Sequence, residues 1–410
     1  MTEIATRPSA PARPGALAGL RVVEMGFAAA GPLVGKYLAN FGAEVIRLES
    51  RLAADVFRTT YPPFKDGVVD PDRAGMFAFY NDGKRSATLN LKHPKGVALA
   101  RALIGQADVF VESFTPGTVA RLGLGPETLR AEHPELIVLS SCNQGQTGPH
   151  AFHPGYGSQL SALAGFVQLL GEPDSTPVLL YGPYIDYVAV GYGAIAVLAA
   201  LERRRRTGMG CTIDLSQYEA GLQFLTPSIL EFAANGRIPG RAGNADQTAA
   251  PHGVYRCAGA DRWIALSVWT DDEWCALADL MALDGPATAA GRRAVRPQLD
   301  AAIGAWTAGR DRDAVVALLR GAGVRAAPVL SISELFSDPQ LAHRGMWPTV
   351  THPAIGAMHV MAPPFRLSAT PSLQERAGPT VGADNDHVFG ELLGLSLDER
   401  RTLERDGVFE

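Results

Sequence analysis

An alternation of short β-branched runs with helical patterns in residues 20–140 constrains the fold most strongly. Residues 20–24 (LRVVE) predict a strand, a helical pattern opens at Gly31 and Pro32 and continues to about Phe41, and residues 43–48 (AEVIRL) predict a second strand. The alternation continues with predicted strands at 86–91, 109–112 and 136–140 and helices at 96–106 and 126–132. This pattern predicts an α/β fold in which a mostly parallel sheet is covered by helices.

The second half of the chain shows a different pattern. A strongly apolar helical stretch ends in four arginines at 203–206, and a strand at 213–215 and a helix at 219–234 follow. Residues 235–247 are rich in Gly, Asn and Arg and are interpreted as a crossing between domains. Beyond them we expect strands at 253–257, 263–268 and 326–330 and helices at 273–281, 311–322 and 398–406. These elements predict a smaller α+β unit and a final short helix.

Composition and charge exclude several classes of protein. The chain has 410 residues, of which 47% are hydrophobic and 19% charged, so it can bury a large core and is expected to form two domains. Its net charge of -5 argues against a nucleic-acid partner. The longest apolar stretch, residues 188–201, is shorter than the roughly 18 to 20 residues of a membrane-spanning helix. Residues 1–15 lack the apolar region of a secretory signal, so we expect a cytoplasmic protein without a membrane partner.

Cysteine usage and missing motifs narrow the chemistry further. Cys142, Cys211, Cys257 and Cys275 form no CxxC pair and have no metal-ligand spacing to the histidines, so we expect buried reduced thiols and no metal. The sequence contains no P-loop, GxSxG or HExxH motif, and the loop at 26–32 (GFAAAGP) lacks the GxGxxG glycines. The sequence therefore predicts no nucleotide cofactor.

Asp186 is the most informative candidate for chemistry that remains. It stands just before an apolar helical stretch with small residues, VAVGYG at 188–193. One interpretation is a helix N-cap, whose carboxylate accepts the free amides of the first turn. The other is a nucleophile that attacks an acyl thioester and holds the acyl group as a mixed anhydride. The two are compatible, because burial to a pKa of about 6 leaves most of a carboxyl group ionised at pH 7.

A series of short segments runs through nearly the whole chain: LAGLRVVE (17–24), AGP (30–32), FGAEVIRLE (41–49), NDGKRS (81–86), ADVFVESFTPG (107–117), GQTGP (145–149), RTGMG (206–210), APV (327–329) and LGL (393–395). In this order and spacing they resemble the class III CoA-transferase family, also called CaiB/BaiF. The resemblance implies a Rossmann-like large domain built from both chain ends, a smaller α+β domain inserted between them, and a homodimer of two interlocked subunits.

The same resemblance implies where the domains lie. On this basis we expect a flexible N-terminal tail at 1–18 and a large coenzyme-A-binding domain at 19–234. The small domain is then expected at 235–330, and a C-terminal segment at 331–410 is expected to return to the large domain.

The resemblance also implies the reaction and its residues. Asp186 would take the acyl group from an acyl-CoA donor as an anhydride, the coenzyme A thiolate would convert this to an enzyme-bound thioester, and an acceptor carboxylate would complete the transfer without metal or nucleotide. The implied coenzyme A contacts are Phe27, Ala28, Ala29, Ala30, Arg51, Leu89, Lys92, Phe114 and Arg121. Among them, Lys92 and Arg121 suit the phosphate groups.

Some positions depart from the family pattern and leave alternatives open. Ala29 stands where some transferases have a catalytic glutamine, Ser113 replaces an asparagine, and residues 235–247 lack a glycine-rich lid run. A 2-methylacyl-CoA racemase, or epimerase, is one alternative, although Tyr156 stands where that enzyme has its histidine base and His153 lies three residues away. A catalytically silent coenzyme-A-binding paralogue is the other alternative.

For the exchanged acids, the sequence indicates only which branch of the family the chain resembles. Residues 49–51 (ESR), Asp55, Arg58 and residues 216–219 (SQYE) resemble the branch that uses succinyl-CoA and dicarboxylic or aromatic-succinate acceptors. The distal carboxylate of such an acid requires a cation. The candidates by residue type are Arg47, Arg58, Arg241 and His252.

Overall fold

The fold, taken from a computed structural model, is described for residues 15–410. The strands are β1 (Arg21–Met25), β2 (Glu44–Glu49), β3 (Arg85–Thr88), β4 (Val109–Glu112), β5 (Ile137–Cys142), β6 (Thr212–Ser216), β7 (His252–Arg256), β8 (Trp263–Ser267), β9 (Arg325–Val329), β10 (Thr349–His352) and β11 (Gly356–His359). Residues 1–14 of the predicted tail at 1–18 lie outside the described residues. Within the rest of that segment, Leu17 donates its backbone N–H to Phe41 O at 2.8 Å.

Helices connect and cover these strands. The α-helices are α1 (Ala30–Asn40), α2 (Val56–Thr59), α3 (Gly75–Tyr80), α4 (Pro94–Ile104), α5 (Thr118–Arg121), α6 (Pro126–Glu132), α7 (Gly157–Leu163), α8 (Phe166–Leu169), α9 (Tyr184–Thr207), α10 (Gln217–Leu222), α11 (Thr226–Asn235), α12 (Asp271–Met281), α13 (Ala289–Ala294), α14 (Arg296–Ala308), α15 (Arg312–Gly321), α16 (Ile332–Ser337), α17 (Pro339–His343) and α18 (Leu397–Arg405). Short 3-10 helices lie at Lys65–Gly67 and Gln223–Leu225, and a π-helix lies at Asp386–Leu392.

The first six strands form one parallel sheet in the order β3-β2-β1-β4-β5-β6. Strands β4 and β5 are buried along their whole length, as expected where helices cover both faces of a parallel sheet. The predicted α/β fold is therefore confirmed. The chain moves outward from β1 in one direction and from β4 in the other, so a crevice opens at the carboxyl ends of these two strands, where such sheets bind their ligands.

Alternate residues of the strands face two separate cores. Val22 on β1 packs with α1 and α9, whereas the next residue, Val23, packs with α4 and with the C-terminal residues Phe389 and Val408. Helix α9 approaches α1 so closely that an ideal Cβ on Gly193 would lie 2.8 Å from the Val34 side chain. A glycine at this position thus allows the helix that carries Asp186 to pack directly on α1.

The chain divides into two compact units by its internal packing. Among the described residues, the first consists of 15–165, Leu180–Ile229 and Ala342–Glu410, and the second consists of Phe166–Leu179 and Leu230–Leu341. The second unit contains the antiparallel sheet β7-β8-β9 with helices packed on it. Residues 166–179 belong to this second unit, and the domain bounds implied by the resemblance stay a prediction.

Helix α9 (Tyr184–Thr207) is longer than the apolar stretch 188–201, whose length predicts no membrane-spanning helix. By length and composition it is long and apolar enough to cross a membrane, and 33% of its most apolar window is buried in the structure. Val190 and Val197 belong to the core, while Ile195 is 66% exposed.

The cysteines in the described part of the chain are free thiols, and they differ in burial. Cys142 and Cys257 are buried and Cys211 is half-buried. Cys275 is exposed, because it lies on the solvent side of α12, so the expectation of a buried thiol is wrong at this position.

Candidate active site

A pocket of about 360 Å³ lies at the carboxyl ends of β1 to β4. Residues 25–27, 47–50, 52, 53, 55, 89–92, 114, 118 and 122 line it. These residues come from the segments that follow four neighbouring parallel strands, so the crevice expected from the strand order is a concave site. A pocket of this size, mainly apolar with a few polar groups, is suited to a small organic ligand.

Four of the predicted coenzyme A contacts line this pocket. They are Phe27, Leu89, Lys92 and Phe114. The rings of Phe27 and Phe114 meet edge to face with centroids 5.7 Å apart, which joins the loop after β1 to the loop after β4. The structure therefore brings together residues that are widely separated in sequence.

The other predicted contacts lie beside the pocket rather than in its lining. Ala28 follows Phe27 in the loop, Ala29 is the N-cap residue of α1, and Ala30 is the first residue of that helix. Arg51 donates from Nη2 to Val381 O at 3.1 Å, and Arg121 donates from Nη2 to Thr118 Oγ1 at 3.0 Å. Arg51 is thus held by a residue outside the pocket lining and Arg121 by one within it, and the contact of both arginines with coenzyme A stays a prediction.

Asp186 lies in the first turn of α9, where Pro183 holds the N-cap position. The N-cap interpretation is therefore wrong, because the helix begins two residues before Asp186. Burial raises the pKa of Asp186 to about 7, and a hydrogen bond with its own backbone amide opposes this rise. Its Oδ1 atom is buried without a hydrogen-bond partner among residues 15–410. A carboxylate of this kind, partly ionised at neutral pH and with one oxygen unoccupied, has the properties of a nucleophile.

Asp186 lines neither the pocket of about 360 Å³ nor a second pocket of about 270 Å³, but its carboxylate contacts a residue that follows the lining of the second one. Its Oδ1 atom is 2.6 Å from the ideal Cβ position of Gly157, the first residue of α7. The preceding residue, Tyr156, lines the second pocket together with Ser113 and other polar residues. Phe114 lines both pockets and so forms part of the wall of each. The carboxylate is thus one residue removed from the lining of the second pocket, which shares Phe114 with the pocket of the predicted coenzyme A residues.

Aromatic side chains border Asp186 on the other side. The hydroxyl of Tyr187 is 2.5 Å from the hydroxyl of Tyr80, and Tyr80 packs against Phe57. Burial raises the pKa of both phenols, and the charge of Asp186 raises it further. Both tyrosines are therefore protonated at neutral pH.

Cys142 is a second potential nucleophile in the same region, since it lines the second pocket. Burial raises the pKa of its thiol to about 11. The thiol is protonated at neutral pH and is a poor nucleophile in that form. Asp186 is thus the better candidate.

Two of the four cations considered for a distal carboxylate are already paired. Arg47 bonds to Glu24 Oε1 at 3.0 Å and to Asp55 Oδ2 at 2.5 Å. Arg58 binds both carboxylate oxygens of Glu49, at 2.7 and 2.9 Å. Every guanidinium nitrogen of Arg58 is bonded within the fold. Arg47 lines the larger pocket, and its Nε atom has no hydrogen-bond partner among residues 15–410. The role of either arginine toward a distal carboxylate stays a prediction. Arg241 and His252 lie in the second unit.

Asp55, which lines the larger pocket, and Glu112 are buried carboxylates for which the sequence predicts no role in the site, although Asp55 belongs to the pattern that resembles one branch of the family. Asp55 accepts hydrogen bonds from the backbone N–H groups of Ala28 at 3.1 Å and Phe57 at 2.7 Å. Glu112, the last residue of β4, accepts a hydrogen bond from Phe114 N–H at 2.9 Å, and burial raises its pKa. An acidic residue that ends a buried strand or opens a short helix is the sequence signal that could have identified them.

Comparison with known proteins shows the family to which the chain belongs. The family model described as CoA-transferase family III matches residues 17–385. The chain is 33% identical over 400 residues to the succinyl-CoA–D-citramalate CoA-transferase of Chloroflexus aurantiacus, covering 96% of this chain and 98% of that protein. It is 32% identical to the succinate–glutarate CoA-transferase of Agrobacterium fabrum, covering 93% of this chain and 97% of that protein.

A solved structure gives the same result. A CaiB/BaiF family protein from Brucella suis has a TM-score of 0.85 and 32% identity to this chain, covering 93% of this chain and 100% of that one. The chain therefore belongs to CoA-transferase family III and is a CoA-transferase. Enzymes of this class use CoA thioesters as substrates.

Proposed function

We propose that Asp186 is the nucleophile of a CoA transfer that proceeds through enzyme-bound intermediates. Its carboxylate oxygen attacks the thioester carbonyl of the donor, and the C–S bond breaks. The coenzyme A thiolate is released, and the acyl group is now bound to Asp186 as a mixed anhydride. The thiolate then attacks the aspartyl carbonyl, which releases the donor acid as a carboxylate and leaves an aspartyl-CoA thioester. The observation that carries this proposal is the buried Oδ1 atom of Asp186, which has no hydrogen-bond partner among the described residues.

The second half of the reaction repeats these steps with the acceptor. An acceptor carboxylate attacks the aspartyl thioester and forms a new anhydride, and the thiolate attacks its acyl carbonyl to give the product acyl-CoA and free Asp186. One thioester and one carboxylate are consumed and one of each is formed. The exchange is nearly balanced in free energy, so no nucleotide and no metal is required.

Coenzyme A is proposed to bind in the pocket of about 360 Å³, with Phe27, Leu89, Lys92 and Phe114 among its contacts. The acyl group would then lie toward the second pocket beside Asp186. The more polar lining of that pocket, with Ser113, Asn143 and His153, suits an acyl group that carries a carboxylate.

We propose succinyl-CoA as the donor and a dicarboxylic acid as the acceptor. The names of the relatives from Chloroflexus aurantiacus and Agrobacterium fabrum support this assignment, since both contain succinate or its CoA ester together with a second dicarboxylic acid. The test incubates the enzyme with succinyl-CoA and a panel of carboxylic acids and identifies the acyl-CoA products by mass. A new acyl-CoA with wild type and none with Asp186→Ala supports the proposal.

Two further measurements, deuterium exchange and coenzyme A binding, distinguish the alternatives. A racemase would exchange the α-proton of a 2-methylacyl-CoA with deuterated solvent and form no new thioester. A silent paralogue would bind coenzyme A and catalyse neither reaction. Formation of product by Asp186→Ala at the wild-type rate would contradict the proposed nucleophile.

We further propose a homodimer of interlocked subunits in which both chain ends contribute to the large domain. Tyr192, Ile195 and Leu198 form an apolar row on α9 that is 37%, 66% and 46% exposed in one subunit, and a second copy would cover it. Light scattering should then give twice the chain mass of 43.4 kDa. A monomer would contradict this assignment. Location in the cytoplasm stays a prediction that fractionation of cells would test.

A further inference from the structure

The loop between β1 and α1 contains a backbone conformation that an alanine rarely adopts. Ala28 has a φ of +58°, in the left-handed region. Glycine adopts this conformation freely, and asparagine or aspartate can support it with a local hydrogen bond, whereas alanine has neither advantage. The surroundings must therefore hold Ala28 in place.

A buried ion pair contacts this loop on both sides of Phe27. Asp55 Oδ2 accepts a hydrogen bond from Ala28 N–H at 3.1 Å. Arg47 Nη2 donates to Gly26 O at 2.8 Å and to the same Asp55 oxygen at 2.5 Å. Asp55 is 2% exposed and Arg47 is 1% exposed, so water does not compete for these bonds.

The two carboxylate oxygens of Asp55 accept hydrogen bonds from different parts of the chain. Oδ1 accepts from Phe57 N–H at 2.7 Å and caps α2, whereas Oδ2 contacts the loop and Arg47. Arg47 is in turn fixed by Glu24, through a bond of 3.0 Å to Oε1. The loop that carries Phe27 is thus tied to β1, β2 and α2 by a network whose members do not move independently.

We propose that Asp55 is a positioning residue for coenzyme A binding: together with Arg47 it holds Ala28 in the left-handed conformation and so presents Phe27 and the start of α1 to the ligand. The inference rests on the coenzyme A pocket of the proposed function. Asp55 acts through the loop rather than on the reacting atoms. Its loss should therefore weaken binding of CoA and raise KM more than it lowers kcat.

The test measures the dissociation constant of coenzyme A by calorimetry and KM and kcat for an acyl-CoA. Asp55→Ala leaves Ala28 N–H without its acceptor and should raise the dissociation constant about tenfold or more. Adding Ala28→Gly in the Asp55→Ala background should recover part of this loss, because glycine reaches the left-handed conformation without help. If Asp55 served stability alone, neither substitution would change the coenzyme A affinity of the folded protein.

Asp82 provides the matched control. It is fully buried, forms an ion pair of 2.6 Å with Lys36, and accepts from Asn40 Nδ2 at 3.0 Å. Asp82→Ala should lower stability and leave the coenzyme A affinity of the folded protein within about twofold of wild type. If Asp55→Ala does not fold, the same comparison uses Asp55→Asn with and without Ala28→Gly.

Two results separate this inference from the proposed function. If wild type binds coenzyme A and the Asp55 variants bind it equally well, or if Ala28→Gly restores nothing, the positioning role is contradicted while the transferase assignment stands. If wild type itself neither binds coenzyme A nor transfers it, the proposed function fails first.

Discussion

The Oδ1 oxygen of Asp186 occupies the space that a side chain at Gly157 would need, since an ideal Cβ there would lie 2.6 Å from it. The same Cβ would lie 2.5 Å from Pro183 Cβ, at the start of the helix that carries Asp186. The glycine therefore permits the first turns of α7 and α9 to meet with the carboxylate between them. The proposed nucleophile can occupy this position only because residue 157 has no side chain.

Substitution of Gly157 should impair catalysis. Gly157→Ala would force the Asp186 carboxylate or Pro183 to move, and a misplacement of about 1 Å can cost on the order of 100-fold in rate. We expect kcat to fall at least tenfold. Gly191→Ala on α9 is the control, because a Cβ at Gly191 meets no atom within 4 Å. Equal kcat values for the two variants would contradict the positional role of Gly157.

The transfer rate should depend on pH through Asp186. Burial raises its pKa to about 7, and only the ionised carboxylate attacks a thioester. We expect kcat/KM to fall about tenfold per pH unit below that pKa and to level off above it. Steady-state assays from about pH 5 to pH 9 check this profile. A constant kcat/KM down to pH 5 would mean that Asp186 is not the titrating nucleophile.

Asp186 should also lower the stability of the fold at neutral pH. Its folded pKa is above the unfolded value of about 4, so the folded state binds the extra proton and stability falls as pH rises between the two values. Asp186→Asn removes this penalty and should increase the free energy of unfolding by up to about 4 kcal/mol above pH 7, with little gain near pH 4.

Urea unfolding at both pH values measures the difference. Asp398→Asn is the control, since the Asp398 side chain is 95% exposed. If Asp186→Asn changed the free energy of unfolding equally at both pH values, the folded protein would not contain a buried, charged Asp186 carboxylate.

Lys92 should contribute to the affinity for acyl-CoA as a cation. It is exposed at the rim of the larger pocket, where a phosphate group could contact it. We expect Lys92→Ala to raise KM about fivefold and to reduce its dependence on salt. Lys95→Ala is the control, because Lys95 is exposed and pairs with Asp406 at 2.8 Å. An unchanged KM in Lys92→Ala would place the phosphates elsewhere.

Strands and the helices between them were predictable because their patterns are local. The predicted strand at 109–112 and helix at 126–132 match β4 and α6 residue for residue. Helices such as α14 were not predicted, because the segment Arg296–Ala308 mixes small, polar and apolar residues without a clear period. The start of α9 was placed too late, since Pro183 rather than Asp186 holds its N-cap position.

The site was predictable only in part, because its geometry depends on distant residues. The resemblance to a family supplied Asp186 and the pocket residues, of which Phe27, Leu89, Lys92 and Phe114 line the same pocket. No local pattern shows that Arg47 is neutralised by Glu24 and Asp55, which come from other elements. For the same reason the contact between Gly157 and Asp186 becomes visible only in the folded chain.

The most direct test of the account is to trap the covalent intermediate. The enzyme is incubated with succinyl-CoA without an acceptor, treated with hydroxylamine or borohydride, and digested for mass spectrometry. The account predicts a modified side chain at Asp186, absent from Asp186→Ala and from enzyme treated without the CoA ester. An active enzyme that never carries a modification at Asp186, or that carries it at another residue, would contradict the account.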